Sequence, residues 1–264
     1  IRALRFLSDL EAVDAGLHWD EPIRLALPSP ADALDAVENI AGQLADRVGQ
    51  HLERGDFPLV IGGDHSCAIG TWSGVKRALG ATARLGLIWI DAHMDSHTMA
   101  TSATRHIHGM PLASLLGQGD PRLSAVAGAG AKLLPEDVCL VGVRSFEAEE
   151  AILLRQLGVR VYFMHEVRRR GLSEVFAEAL CRVAAHTRGY GISIDLDALG
   201  PAQGPGVGTP VPGGLLRADM ADALALAQGD ERLLAVEIVE YNPYRDEHFV
   251  TARAIHDLCR SLIP

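Results

Sequence analysis

The feature that most limits the folds open to this chain is a regular alternation. Short, continuous runs of aliphatic and β-branched residues are separated by longer segments whose apolar residues recur three and four positions apart. The runs are 57–63 (FPLVIGG), 85–90 (LGLIWI), 138–143 (VCLVGV), 159–164 (VRVYFM), 190–196 (YGISIDL) and 233–239 (LLAVEIV). Runs with no polar alternation suit strands covered on both faces, as in parallel sheets. Helices are predicted over 31–54, 147–157, 173–186, 217–227 and 246–262. The first is entered through Ser29, Pro30 and Asp32 and stopped at Gly55. Strand–helix alternation of this kind predicts βαβ units that build one parallel sheet, an α/β fold.

Open parallel sheets bind ligands beyond the carboxyl ends of their strands. The chemistry-bearing residues of this sequence fall there. Gly62-Gly63-Asp64-His65-Ser66 follows the first run and Asp91-Ala92-His93-Met94-Asp95 the second. Asp195-Leu196-Asp197 ends the fifth, and Glu240-Tyr241-Asn242-Pro243 follows the sixth. Carboxylates crowded at a poorly solvated rim repel one another and raise each other's pKa. A divalent cation between them removes that cost. In an extended segment residues i, i+2 and i+4 point the same way, so Asp91, His93 and Asp95 are expected to converge, as are Asp195 and Asp197. With His65 these make four carboxylates and two imidazoles. Six ligands exceed what a single tetrahedral zinc needs and suit two ions sharing carboxylates. Oxygen donors with some imidazole fit Mn²⁺, with Fe²⁺, Co²⁺ and Zn²⁺ as alternatives.

Other classes are disfavoured. The net charge of -10 argues against a nucleic-acid binder; the densest basic run, Arg168, Arg169 and Arg170, reads as a solvated turn before a helix. No stretch reaches 18 uncharged apolar residues, so no membrane span is expected, and no secretory signal is visible. The chain opens on Ile1, and a leading segment is expected before it. Cys67, Cys139, Cys181 and Cys259 lack the close spacing of a zinc site and read as buried, reduced thiols of a cytoplasmic protein. The stretch 204–214 (GPGVGTPVPGG) lacks the lysine of a phosphate-binding loop and reads as a rigid loop wrapping the rim.

Taken together, GGDHS at 62–66, DAHMD at 91–95, HGMP at 108–111, SIDLD at 193–197, GTPVPGGL at 208–215 and EYNP at 240–243 resemble the arginase/ureohydrolase superfamily. The resemblance runs over about residues 57–260 and keeps the order of the motifs. It implies a three-layer α/β/α catalytic domain over residues 1–264, around a mostly parallel eight-stranded sheet. It also implies two Mn²⁺ ions. One would be held by His65, Asp91, Asp95 and Asp195, the other by His93, Asp91, Asp195 and Asp197. His108 matches the family's proton-transfer histidine, Glu240 the acid that binds the guanidinium group, and Asp95 joins them as a candidate catalytic residue. The reaction implied is hydrolysis of a guanidino group by metal-activated water. A trimeric or hexameric homo-oligomer follows from the same resemblance.

The interval from Asp91 to His108 and the HGMP motif resemble arginases more than agmatinases, which favours L-arginine, split to L-ornithine and urea. Around the α-carboxylate and α-amino positions the sequence departs from the family. His97, Thr104 and His106 stand where an Asn and a Ser-x-Asn are usual, and Glu147 stands where an Asp is usual. These four are the candidate substrate-binding residues together with Glu240. Agmatine, guanidinobutyrate, guanidinopropionate and formiminoglutamate remain alternative substrates, and a non-catalytic metal-binding relative is the alternative to an enzyme. No nucleic-acid or membrane partner is expected.

Overall fold

In a computed structural model, described over residues 19–24 and 33–262, the chain forms six parallel strands with helices on both faces. The strands are β1 (Leu59–Ile61), β2 (Leu85–Ile90), β3 (Val138–Val143), β4 (Arg160–Phe163), β5 (Gly189–Asp195) and β6 (Leu233–Val239), in spatial order β1-β6-β5-β2-β3-β4. The helices are α1 (Ala33–Glu53), α2 (Cys67–Leu79), α3 (Pro111–Leu115), α4 (Pro121–Ser124), α5 (Ala148–Leu157), α6 (Met164–Arg170), α7 (Leu172–Ala184), α8 (Arg217–Leu224) and α9 (Val250–Leu262). Every run expected to be a strand is one. The described residues hold six strands where the resemblance implied eight, and six is the number of strand-like runs in the sequence itself. The entry signals Ser29, Pro30 and Asp32 lie outside the described residues.

Successive side chains of a strand point to opposite faces, and this sorts the core into two layers. Ile88, Ile90, Tyr190, Ile192, Ile194, Val236 and Ile238 face one way, against Phe176 and Val183 of α7, Met220 of α8 and Ile255 and Leu258 of α9. Leu87, Trp89, Leu140 and Ala235 face the other way, against Val48 of α1, Ala68, Trp72 and Val75 of α2 and Leu154 of α5. Both faces are covered, which explains why the strands read as continuous apolar runs.

Three expectations are corrected. Helix α2 was not anticipated, because Gly70 and Gly74 interrupt its pattern and weaken a helix reading. The two glycines are there for packing: a Cβ at Gly74 would lie 2.5 Å from the Ala45 carbonyl oxygen of α1, and one at Gly70 would lie 2.7 Å from that of Ala41. Arg168, Arg169 and Arg170 form the last turn of helix α6 rather than a turn before a helix. There their charge lies at the favourable carboxyl end of the helix dipole, and Arg170 bonds Glu166, Glu174 and Glu178. All four cysteines are free, but Cys181 is exposed and Cys67 only half-buried, so the buried reading holds for Cys139 and Cys259.

Candidate metal centre

Four neighbouring strands, β1, β6, β5 and β2, end on one rim, and the loops that leave them bring together the residues singled out in the sequence. His65 is fully buried, and its Nδ1 lies 3.1 Å from Asp95 Oδ2, 3.1 Å from Asp195 Oδ2 and 3.3 Å from Asp91 Oδ2. His93 Nδ1 lies 3.0 Å from Asp197 Oδ2 and 3.5 Å from Asp91 Oδ1. Two groups result, each with ligand atoms within 4.8 Å of one another: His65, Asp91, Asp95 and Asp195, and Asp91, His93 and Asp197. They share Asp91. The convergence is as expected, but its geometric cause is not. Past Ile90 the chain leaves the sheet, Asp95 turns through a left-handed φ of 47°, and Asp197 sits in a single 3₁₀ turn, Leu196–Ala198.

Hydrogen bonds from backbone and side-chain donors hold these carboxylates in place. The Asp91 carboxylate accepts from the His93 N–H at 2.7 Å and from the Trp89 indole at 2.9 Å. Asp195 accepts from the Asp197 N–H at 2.8 Å, and Thr209 donates to Asp197 at 3.0 Å. Trp89 also stacks on His65, with ring centroids 4.0 Å apart. On the far side of that ring edge, His65 Nε2 lies 2.9 Å from Ser193 Oγ. The 204–214 stretch does wrap the rim: Arg144 donates to the carbonyls of Pro212, Val211 and Asp197 and so ties it to the Asp197 turn.

The electrostatics identify what the arrangement requires. Burial, then the charges of Asp197 and Asp91, push Asp195 well above the usual carboxyl range. Burial and the Asp91 charge push Asp95 up to about 7 and also raise Asp197. Burial would raise Asp91 too, but the His65 and His93 hydrogen bonds outweigh it and hold it low. Three buried acids pushed up around a fourth, Asp91, with two imidazoles among them make an anionic cup, and oxygen and nitrogen donors of this kind fit divalent cations. The residues present could therefore hold a dinuclear metal site.

Beside the cup, Glu240 comes off β6 with a left-handed φ of 65°, its N–H bonded to the Gly63 carbonyl at 2.7 Å. Its carboxylate accepts from the His65 N–H at 2.9 Å and lies 3.4 Å from His108 Nδ1. The Glu240 hydrogen bond raises the pKa of His108. Burial would raise Glu240 as well, but His108 and the His65 N–H hold it low. The candidate substrate residues split in two. His97 Nε2 and Glu147 Oε2 meet at 3.0 Å, with the buried Glu150 behind them at 3.6 Å from His97. Thr104 and His106 are exposed on the loop ahead of His108; Thr104 Oγ1 accepts from the His106 N–H at 3.4 Å, and the His106 ring lies 5.7 Å from that of His108. Sequence reasoning missed Trp72, Trp89, Ser193, Thr209 and Glu237. Ser193 and Thr209 lie inside the SIDLD and GTPVPGGL motifs without being singled out, and Glu237 is a charge inside the apolar run LLAVEIV.

The sequence and the fold are similar to those of known proteins. The sequence profile of the Arginase family matches residues 6–264. The arginase of Bacillus caldovelox is 44% identical over 229 residues, which are 87% of this chain and 76% of that protein. The arginase of Brevibacillus brevis is 40% identical over the same shares. Among solved structures, the Bacillus caldovelox arginase at pH 5.6 superposes with a TM-score of 0.88 and 40% identity, over 99% of this chain and 89% of that one. The Entamoeba histolytica arginase in complex with L-ornithine gives 0.85 and 30%, over 98% and 90%. Sequence motifs, a doubly covered parallel sheet and an acid-rich cup at its carboxyl rim agree with these matches, and the chain belongs to the arginase family.

Proposed function

We propose that this chain hydrolyses the guanidino group of L-arginine to give L-ornithine and urea, with two Mn²⁺ ions as its cofactors. The observation that carries the reading is the pair of donor groups sharing Asp91. His65, Asp91, Asp95 and Asp195 would hold one ion, and His93, Asp91, Asp195 and Asp197 the other, with Asp91 and Asp195 serving both. Bound there, the ions supply a water of lowered pKa, the nucleophile that a poorly electrophilic guanidinium carbon requires.

The remaining work falls to the chain's own side chains. Glu240, held as a carboxylate by His108 and the His65 N–H, pairs with a planar guanidinium through parallel hydrogen bonds and orients it. His108, whose pKa the Glu240 hydrogen bond raises, donates a proton to the departing amine. Asp95, which faces both His65 and the cup, helps to position the attacking water. His97 and Glu147 stand where the α-carboxylate and α-amino groups of an amino acid would be met, with Thr104 and His106 as further donors on the same loop.

A second reading has one observation in its favour. His97 and Glu147 bond each other at 3.0 Å, where an Asn and an Asp are usual. That arrangement suits a related guanidino compound. Urea or formamide release from L-arginine, agmatine, guanidinobutyrate, guanidinopropionate and formiminoglutamate, with metal analysis on the same preparation, separates the two. Activity on L-arginine is expected; turnover of agmatine without L-arginine would reject it. A Mn²⁺-loaded chain inert on all five would point to a non-catalytic relative. We further propose a single catalytic domain that works in the cytoplasm as a homo-oligomer.

A further inference from the structure

Beneath the cup lies a buried acid that the reaction does not use. The β5–β6 register places Ser193 opposite Glu237, and both face α2, where Trp72 packs over Gly191. Trp72 Nε1 donates to Glu237 Oε1 at 2.7 Å, and Ser193 Oγ donates to the same oxygen at 2.7 Å. Ser193 Oγ also lies 2.9 Å from His65 Nε2. All four side chains are fully buried.

We propose that Glu237, anchored by Trp72 and acting through Ser193, is a positioning residue that fixes which nitrogen of His65 faces the metal site. The inference rests on the reading of His65 as a metal ligand. An indole N–H can only donate, so Glu237 Oε1 must be an acceptor. The single hydroxyl proton of Ser193 is then committed to that oxygen. What Ser193 offers His65 is a lone pair, and the hydrogen of their bond must sit on Nε2. Nδ1, 3.1 to 3.3 Å from three carboxylates, is left as the ligand atom. The polarity holds while Oε1 carries no proton and so accepts from both donors. Metal-binding histidines usually give their second N–H to an unambiguous acceptor. Here that acceptor is a hydroxyl, which by itself could point either way, and Glu237 removes the choice.

The test uses the full chain and Mn²⁺ alone. Glu237→Leu removes the acceptor, whereas Glu237→Gln keeps an oxygen where both donors converge. Mn²⁺ affinity, measured by competition with a fluorescent chelator, is expected to fall about 10–100-fold in the leucine variant and to stay near the parent's in the glutamine variant. Nitrogen-15 spectra of the Zn²⁺-loaded parent, labelled at histidine, are expected to show the His65 hydrogen on Nε2. A folded Glu237→Leu variant that binds Mn²⁺ as tightly as the parent would overturn the inference, as would a glutamine variant as weak as the leucine one. Should the leucine variant fail to fold, the parent spectrum decides: a hydrogen on Nδ1 overturns it. None of these readouts depends on turnover. A parent that takes up no Mn²⁺ would instead remove the metal reading on which the inference stands.

Discussion

Asp91 concentrates the demands of the centre in one side chain. It is fully buried, accepts from the Trp89 indole and its own loop's His93 N–H, and belongs to both donor groups. Asp91→Asn keeps the size and removes the charge, so both proposed ions would lose an anionic ligand at once. Metal content is expected to drop, and urea release to fall by more than the roughly 100-fold that loss of an outer-sphere partner reaches. Asp222→Asn, on the exposed face of α8, should leave both unchanged; metal analysis and a urea assay on the two preparations check this. Asp91, His93, His65 and Glu240 were legible in the sequence because each closes an apolar run, where an acid or imidazole has few structural uses. Trp72, Ser193 and Glu237 were not, because their meeting depends on cross-strand register and on a helix whose glycines hide it. The extended-chain geometry that brought Asp95 and Asp197 inward was also wrong in detail, since positive φ and a 3₁₀ turn are decided by loop contacts that spacing does not encode.

Among the elements, α1 and α2 pack backbone against backbone at Gly70 and Gly74. Gly74→Ala must push the helices apart or bend them. A loss of about 1–3 kcal/mol is expected, despite alanine's better helix propensity, and urea unfolding of the variant measures it. At the carboxyl end of α1, His51 bonds Asp56 at 2.8 Å and Asp20 at 3.3 Å. The Asp56 bond, above all, raises the pKa of His51 over its ordinary 6.5. A raised histidine stabilises the fold fully below its unfolded pKa, and the gain fades as pH rises through the folded value. His51→Gln should therefore lower the melting temperature at pH 5.5 and have little effect at pH 9. A pH-independent difference between the two proteins would contradict this. Element type was readable because both sheet faces are covered and because α1, α7 and α9 are strongly periodic. Element ends were less so: 57–63 shrinks to the three-residue β1, although the Pro58 carbonyl and the Gly62 N–H still bond to β6.

At the scale of the whole molecule, ions that bind only the folded chain should stabilise it. Each Mn²⁺ site, at a hundred times its dissociation constant, contributes about 2.7 kcal/mol, or roughly 5–10 °C for a chain of this size. Differential scanning calorimetry with Mn²⁺ and with a chelator tests this, and coincident melting curves would count against a folded-state metal site. Light scattering is expected to return a trimer or hexamer, and a monomer would refute the homo-oligomer. Neither outcome can be read from composition, because the net charge of -10 describes a surface and not its partners. One consequence concerns the opposite rim. Every proposed reactive side chain sits where the strands finish, while the turns that feed them, such as Gly80 before β2, Gly158 before β4 and Gly229 before β6, lie at the other ends of the strands. Those turns are free to drift, lengthen or accept a grafted peptide, so an affinity handle placed there would leave turnover intact.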